Sequence, residues 1–283
     1  MIQVSSIAEV RKYIKEMRQG GKEVGFVPTM GFLHEGHISL VEAAKAKTEI
    51  VVMSIFVNPL QFGPNEDFDR YPRDIERDSA LAEAAGVDIL FTPTVEEMYP
   101  KKMLTNISVA QVTEVLCGKS RPGHFDGVAT VVTKLFQIVQ PDYAFFGQKD
   151  AQQVAVVEQM VFDLSIPVTI VPCPIIREKD GLAKSSRNVY LSTEEREQAL
   201  VLSQSLGNAK ERIHQGERSA ATILENILTQ IKEKPLAEID YVEVLKYPEL
   251  VAESELRQGE TYLIALSVKF GRTRLIDNVM VTI

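Results

Sequence analysis

The sequence lacks the features that mark several classes of protein. Only two cysteines, Cys117 and Cys173, occur in 283 residues, too few for a disulfide framework and wrongly spaced for a metal-binding knuckle. No stretch approaches 18 uninterrupted apolar residues, so neither a membrane span nor a membrane partner is expected. The first twenty residues show no basic segment followed by an apolar one, as a secretory signal has. These absences favour a reducing cytoplasm.

Long basic runs are missing as well. The chain carries 31 Lys and Arg against 39 Asp and Glu, a formal net charge of −8. A protein that binds DNA or RNA as its main partner normally concentrates positive charge on one face. We therefore expect no nucleic acid partner, although a few local cations still suffice to bind a small anion such as a phosphate.

Apolar runs and helical patterns alternate along the first two-thirds of the chain. Near-continuous apolar runs predict strands, and apolar residues at helical spacing predict helices between them. This alternation predicts an α/β fold with a doubly wound parallel sheet, in which ligands bind at the carboxyl ends of the strands. The expected strands are 23–30, 49–57, 88–93, 142–147 and 167–174, and the expected helices are 37–47, 73–86, 126–140 and 150–163.

The pattern changes after about residue 180. Two helical segments, 193–215 and 219–233, precede three strand-like runs, 239–247, 262–270 and 273–283. Strands that follow one another with short connections containing glycine predict a small antiparallel sheet. We predict a first domain over 1–178 and a smaller α+β domain over 179–283.

Two histidines follow the first of these predicted strands. The loop reads PTMGFLHEGH, with His34 and His37 three residues apart at the start of a helix. Free backbone N–H groups and the helix dipole favour an anion there, and the dipole disfavours a protonated imidazole. Each ring can therefore serve as a neutral N–H donor to phosphate oxygens. Alternatives are one capping and one packing histidine, or a metal site, although HEGH is not the HExxH of zinc proteases.

A compact cationic segment, KSSRN, lies near the predicted domain boundary. Lys184 and Arg187 offer fixed charge, and Ser185 and Ser186 offer neutral donors to a triphosphate. Such a tetrapeptide is also common on protein surfaces. Paired with the HxGH element, however, it resembles the HIGH and KMSKS signatures of the class I nucleotidyltransferase superfamily. Members of that superfamily activate a carboxylate or phosphate of the substrate, which attacks the α-phosphate of ATP.

Two further loops end predicted strands with polar residues. Gln61 follows FVNPL, and GQKD ends another strand and opens a helix carrying Gln152 and Gln153. Lys149 in such a turn can neutralise charge that builds on a transferring phosphate. Glutamine suits a hydroxy acid because its amide both donates and accepts hydrogen bonds. The alternative is that Asp150 caps the helix and the glutamines form a solvated face.

Together these segments resemble the pantoate–β-alanine ligase family. The resemblance rests on PTMGFLHEGH, SIFVNPLQFGPNEDFDRYPR, SRPGHFDGVATVVTKLFQIVQPDYAFFGQKDAQQ and IIREKDGLAKSSRN, in that order over roughly residues 26–191. It implies a Rossmann-like first domain, a smaller C-terminal lid, and a homodimer. The implied activity is ATP-dependent condensation of pantoate with β-alanine, with Mg²⁺, through a pantoyl adenylate.

The resemblance also implies site residues. Pantoate and β-alanine are held by Gln61 and Gln153, and no metal ligand is implied. The residues implied to act in catalysis are His34, His37, Lys149, Ser185, Ser186 and Arg187. The residues implied to bind ATP are Met30, Gly31, Phe32, Leu33, His34, Glu35, Gly36, His37, Gly147, Gln148, Lys149, Asp150, Ile176, Lys184, Ser185, Ser186 and Arg187. The family commonly has methionine where Lys184 stands, so the other residues of that segment are the firmer assignments.

Several residues keep alternative interpretations. The resemblance places Arg121 near the phosphates, and His124 in the same loop is as readily structural. Asp126 is a candidate N-cap of the following helix. Asp78 either contacts a magnesium ion or is an exposed helix charge, and the latter is favoured. His214 is interpreted as a solvated surface residue.

Three other functions compete with this interpretation. A nucleotidyltransferase of the same superfamily would release a dinucleotide product instead of an amide. A class I tRNA synthetase would need a tRNA-binding surface, for which this acidic chain has little room. An ATP-binding sensor would change shape without pantoate-dependent release of pyrophosphate.

Overall fold

The computed structural model describes residues 1–64, 66 and 68–283. Asn65 and Asp67, which belong to one of the quoted motifs, lie outside the described residues. The chain divides into two compact units. Unit 1 comprises Met1–Val109, Arg121–Gln148 and Val156–Pro174, and unit 2 comprises Ala110–Ser120, Lys149–Ala155 and Ile175–Ile283. The predicted boundary between residues 178 and 179 stays a prediction.

Unit 1 contains a six-stranded parallel sheet. Its strand order is β1-β4-β3-β2-β5-β6, with every neighbouring pair parallel. The strands are β1 (Ile2–Val4), β2 (Val24–Thr29), β3 (Ile50–Ile55), β4 (Ile89–Phe91), β5 (Tyr143–Gly147) and β6 (Thr169–Cys173). The first seven helices along the chain are α1 (Ile7–Met17), α2 (Glu35–Lys47), α3 (Ile75–Ala85), α4 (Val95–Met98), α5 (Leu116–Ser120), α6 (His124–Val139) and α7 (Ala151–Asp163). Helix α5 belongs to unit 2, and α7 begins there and continues in unit 1.

The central strands are buried because their sequences are apolar on both faces. Phe26 of β2, Met53 of β3 and Leu90 of β4 are fully buried, as expected for parallel strands covered by helices on both sides. Burying one such large side chain stabilises the fold by roughly 1.5–3 kcal/mol. Pro28 is tolerated in β2 because the pairing with β5 has already ended at Phe26. The predicted Rossmann-like sheet is confirmed.

Unit 2 is built on an antiparallel sheet of strand order β10-β9-β7-β8. A two-residue turn joins β9 to β10, and Gly271 opens it with a φ of 57°, a conformation that glycine adopts without strain. Apolar side chains of α9, α10 and this sheet form one core. The elements are α8 (Thr193–Ala199), α9 (Val201–His214), α10 (Ala220–Lys232), β7 (Ala237–Lys246), β8 (Val251–Ala252), β9 (Thr261–Phe270) and β10 (Thr273–Thr282).

Several predicted boundaries need correction. The helix predicted over 193–215 is two helices that meet at Leu200. Asp126 is not an N-cap, because α6 begins at His124 and its N-cap is Gly123, with φ 81°. Helix α1 was not predicted, although Ser6 and Glu9 form a capping box at its start. Among the described residues, no helix combines the length and apolar character needed to cross a membrane.

Candidate active site

The loop between β2 and α2 sets the two histidines against each other. His34 is the N-cap of α2, and its Nδ1 accepts a hydrogen bond from the Gly36 N–H at 3.2 Å. The Nδ1 of His37 accepts one from the His34 N–H, also at 3.2 Å. The ring centroids lie 4.1 Å apart. A ring nitrogen that accepts an N–H carries no proton, so these partners assign the proton of each neutral ring to Nε2.

The same loop uses its own backbone N–H groups. Five residues of the loop show where these N–H groups go. Each of their N–H groups already has an acceptor within the chain: Gly31 to Thr29 Oγ1, Phe32 and Leu33 to Asp78, His34 to His37, and Gly36 to His34. The Nε2–H groups of the two imidazoles are candidate donors to a phosphate in this loop.

Asp78 is the residue whose role the sequence concealed. The expectation of an exposed helix charge is wrong, because only 1% of Asp78 is exposed. Its carboxylate accepts the Phe32 N–H at 2.6 Å and the Leu33 N–H at 2.7 Å. Phe32 has a φ of 51°, in the left-handed region that non-glycine residues rarely adopt, and these bonds hold it there. Burial raises the pKa of Asp78 by more than the two N–H groups lower it. The sequence did contain a signal for this burial. Asp78 lies four residues before Ala82, so the two share the buried face of α3.

Replacing Asp78 with alanine is expected to destabilise the fold by about 2 kcal/mol. Each buried N–H left without an acceptor costs roughly 1–3 kcal/mol, and removal of a buried charge offsets part of that loss. Urea denaturation at pH 7 measures the difference. The matched control is Glu76→Ala, an exposed position on the same helix. Equal stability of the two variants would show that the Phe32 and Leu33 N–H groups do not depend on Asp78.

Gln61 lies in a one-turn helix, Pro59–Gln61, that follows β3. Its side chain is buried, with Oε1 accepting from Asn58 Nδ2 at 3.2 Å and Nε2 lying 3.1 Å from the Met30 sulfur. Asn58 in turn accepts the Tyr99 hydroxyl at 2.8 Å, and burial raises the pKa of that tyrosine. Asn58 and Tyr99, for which the sequence predicted no role, therefore fix the direction of the Gln61 amide. The structure brings two predicted site residues, Met30 and Gln61, into contact.

The GQKD turn forms a short helix, Gln148–Asp150, after β5. Lys149 lies in unit 2, where its Nζ is 3.7 Å from Asp150 Oδ1 and its carbonyl accepts from Asn278 Nδ2 at 2.9 Å. Gln153 is partly exposed on α7. Gln152 is buried and donates to the carbonyls of Val112 and Val115, so the expectation of a solvated face is wrong for this glutamine.

The KSSR segment follows an isolated antiparallel β-bridge between Arg177 and Ala183. The Lys184 N–H donates to the Ile176 carbonyl at 2.9 Å, so two predicted ATP-binding residues lie side by side. Ser185 caps the short helix Ser186–Tyr190 by accepting the Arg187 N–H at 3.3 Å. Lys184, Ser185, Ser186 and Arg187 bring two hydroxyls and two cations on consecutive residues, a set of donors that suits phosphate oxygens.

The predicted site residues thus form two groups. Met30 to His37, Gln61, Gly147 and Gln148 belong to unit 1, and the remaining residues belong to unit 2. The first group supplies neutral imidazole and amide donors. The second supplies fixed positive charge and hydroxyls.

The model of the family described as pantoate-beta-alanine ligase matches residues 2–280. The chain belongs to this family. It is 56% identical to a pantothenate synthetase of Caldicellulosiruptor bescii, over 99% of each chain, and 57% identical to one of Acetivibrio thermocellus, also over 99% of each. The resemblance inferred from the motifs is confirmed.

Solved structures of family members match the whole chain. A pantothenate synthetase of Thermus thermophilus is 48% identical, with a TM-score of 0.91 over 99% of both chains. A pantoate-beta-alanine ligase of Francisella tularensis, described as complexed with beta-gamma ATP and beta-alanine, is 35% identical, with a TM-score of 0.82 over 99% of this chain and 97% of that one. The chain therefore has the fold of the family along its full length.

Proposed function

We propose that the chain condenses pantoate with β-alanine, using ATP, to give pantothenate, AMP and pyrophosphate. The proposal rests on the similarity of the chain, over 99% of its length, to proteins named pantothenate synthetase. The Francisella tularensis relative, described with an ATP species and β-alanine, supports the same pair of substrates. The alternative of a nucleotidyltransferase that releases a dinucleotide is not favoured by these comparisons.

In the first step, a carboxylate oxygen of pantoate attacks the α-phosphorus of ATP. A carboxyl–phosphate bond forms, the bond to the β-phosphate oxygen breaks, and pyrophosphate leaves. The Nε2–H groups of His34 and His37 donate to phosphate oxygens as negative charge spreads over them. Lys149, Ser186 and Arg187 add charge and hydrogen bonds, and Ser185 combines its capping role with a hydroxyl donor. The chain positions the reactants and makes no covalent bond to them.

In the second step, the neutral amine of β-alanine attacks the acyl carbon of pantoyl adenylate. The C–N bond forms, the bond between the acyl carbon and the AMP oxygen breaks, and the amine proton leaves to solvent. The mixed anhydride must be kept from water during this step, since hydrolysis would waste it. Gln61 and Gln153 bind the pantoyl hydroxyls, because an amide both donates and accepts.

Magnesium enters this proposal as part of the co-substrate MgATP. Among residues 1–64, 66 and 68–283, no group of three or more His, Cys, Asp or Glu side chains can hold a metal ion. Asp78, the candidate from sequence, already accepts two N–H groups with its two carboxylate oxygens. Mg²⁺ commonly keeps its waters and binds substrate phosphates with few protein ligands.

Gln61→Ala is expected to raise KM for pantoate and for β-alanine while leaving KM for ATP nearly unchanged. The variant removes the amide but leaves the main chain and the helix Pro59–Gln61 in place. Steady-state kinetics with each substrate varied in turn measures the three constants. A variant impaired only in its use of ATP would show that Gln61 serves the nucleotide instead.

The proposed function is tested by pyrophosphate release from MgATP, with pantoate and β-alanine added singly and together. We expect release that requires pantoate and becomes catalytic, with pantothenate and AMP formed, when β-alanine is also present. Folded protein that releases no pyrophosphate with pantoate would overturn the proposal. Release accompanied by a dinucleotide product would instead support the alternative.

The proposal extends to a homodimer that works in the cytoplasm. The resemblance to the family supports the dimer, and light scattering on the purified chain tests it, with a monomer mass contradicting it. Cys117 and Cys173 are free and buried, which suits a reducing compartment. Fractionation of cells that express the chain tests the location.

A further inference from the structure

The main-chain carbonyl of Gln61 is held as firmly as its side chain. It accepts from His124 Nδ1 at 2.8 Å and from Arg121 Nη2 at 3.3 Å. The direction of the Gln61 side chain depends on where its main chain lies, so groups that hold this carbonyl also aim the amide. Both groups come from the SRPGHFDG motif, whose role the sequence left open.

The hydrogen bonds of His124 assign its protonation. Arg121 Nη1 lies 3.0 Å from His124 Nε2, and a guanidinium can only donate. Nε2 therefore accepts, and the proton lies on Nδ1, where it is donated to the Gln61 carbonyl. Both ring nitrogens are engaged in this neutral form. Such a ring has no nitrogen left to donate to a substrate, and its contribution must pass through Gln61.

Glu66 holds Arg121 in place. Its carboxylate receives two hydrogen bonds from Arg121, at 2.6 Å from Nε and 2.5 Å from Nη2. Burial raises the pKa of Glu66, but the hydrogen bonds and charge of Arg121, together with smaller contributions that include the Gly63 backbone, lower that pKa overall. This bidentate pair fixes the plane of the guanidinium, and thus the position from which Nη1 meets the imidazole.

The first turn of α6 packs directly on the same backbone. A Cβ at Gly127 would overlap the Leu60 carbonyl and the Gln61 Cα, so only glycine allows this approach. The Gly127 carbonyl accepts from Asn58, the residue that also orients the Gln61 amide. The helix that carries His124 and the turn that carries Gln61 therefore form one tightly packed element.

We propose that His124 is a positioning residue for pantoate: its neutral imidazole, held by Arg121 and Glu66, fixes the main chain of Gln61 and so aims the Gln61 amide at the substrate. This proposal rests on the proposed function and on the role of Gln61 within it.

Two variants of His124 distinguish the roles of its two ring nitrogens. In His124→Asn the amide nitrogen can occupy the place of Nδ1 and still donate to the Gln61 carbonyl, whereas in His124→Gln the amide reaches the place of Nε2 instead. We expect His124→Gln to raise KM for pantoate on the order of 10- to 100-fold, as misplacement of a binding group does. We expect His124→Asn to stay within about threefold of wild type, and KM for ATP to change little in either variant. His214→Asn, at an exposed position, is the matched control.

A double variant tests whether His124 acts through Gln61. If it does, adding His124→Gln to Gln61→Ala changes KM for pantoate little further, because no amide is left to aim. Multiplicative effects would overturn the proposal, as would equal impairment of His124→Asn and His124→Gln. If His124→Gln fails to fold, Glu66→Gln can be used instead. It disrupts the Glu66–Arg121 pair that holds His124, and it is also expected to raise KM for pantoate.

The outcomes also separate this proposal from the proposed function. Wild-type protein without pantoate-dependent pyrophosphate release would refute the function itself. Active wild-type protein, with a selective pantoate defect in Gln61→Ala and none in His124→Gln, would refute only the role of His124.

Discussion

Replacing His37 with alanine is expected to lower kcat/KM for pantoate-dependent pyrophosphate release by about 10²–10³-fold, the usual effect of losing one preorganised donor. The reason is the loss of the Nε2–H that we propose as a donor to the phosphates. Alanine also removes the Nδ1 that accepts the His34 N–H at 3.2 Å, and loss of such a cap costs roughly 0.5–2 kcal/mol of stability. The two effects need to be separated.

His37→Asn separates them. Asparagine can place its Oδ1 close to the position of Nδ1 and keep the contact with the His34 N–H, but it offers no donor at the place of Nε2. We expect His37→Asn to match the wild type in melting temperature and His37→Ala in activity. Recovery of activity in His37→Asn would assign His37 to the structure of the loop instead of the chemistry.

Lys149→Ala is also expected to lower kcat/KM by about 10²–10³-fold, because the proposed role of the ammonium is to offset charge on the transferring phosphate. The fold should persist, since the bond from Asn278 goes to the main-chain carbonyl of Lys149 and survives the substitution. The ion pair with Asp150, at 3.7 Å, contributes about 0–1 kcal/mol at most. Single-turnover formation of the adenylate measures the effect on the first step alone.

Lys149→Arg serves as the control that keeps the charge. A partial recovery, well above the alanine variant, would support an electrostatic role, because the guanidinium is positive but differently shaped. If Lys149→Ala formed the adenylate at the wild-type rate, Lys149 would have no part in the first step. An unchanged adenylation rate with slow transfer to β-alanine would move its role to the second step.

The alternation of strands and helices could be predicted because it is written in local patterns. The buried runs at β2, β3 and β5 are apolar on both faces, and this property needs no knowledge of which strands become neighbours. The order of the strands in the sheet could not be predicted from local patterns. Strand β1 pairs with β4, and the paired residues, such as Ile2 and Ile89, lie 87 positions apart in the sequence. Short elements such as β1 and β8 carry too few residues for a periodic signal.

Family membership and the positions of the motifs follow from the order of residues along the chain, and the comparisons confirm the family. What each polar group in those motifs does depends on partners that folding brings from elsewhere. Asp78 reaches the N–H of Phe32 across 46 positions, and His124 reaches the Gln61 carbonyl across 63. Each such bond requires two distant backbones to meet at about 3 Å with the right direction. This condition depends on the three-dimensional structure, so residue type and spacing along the sequence do not predict such bonds.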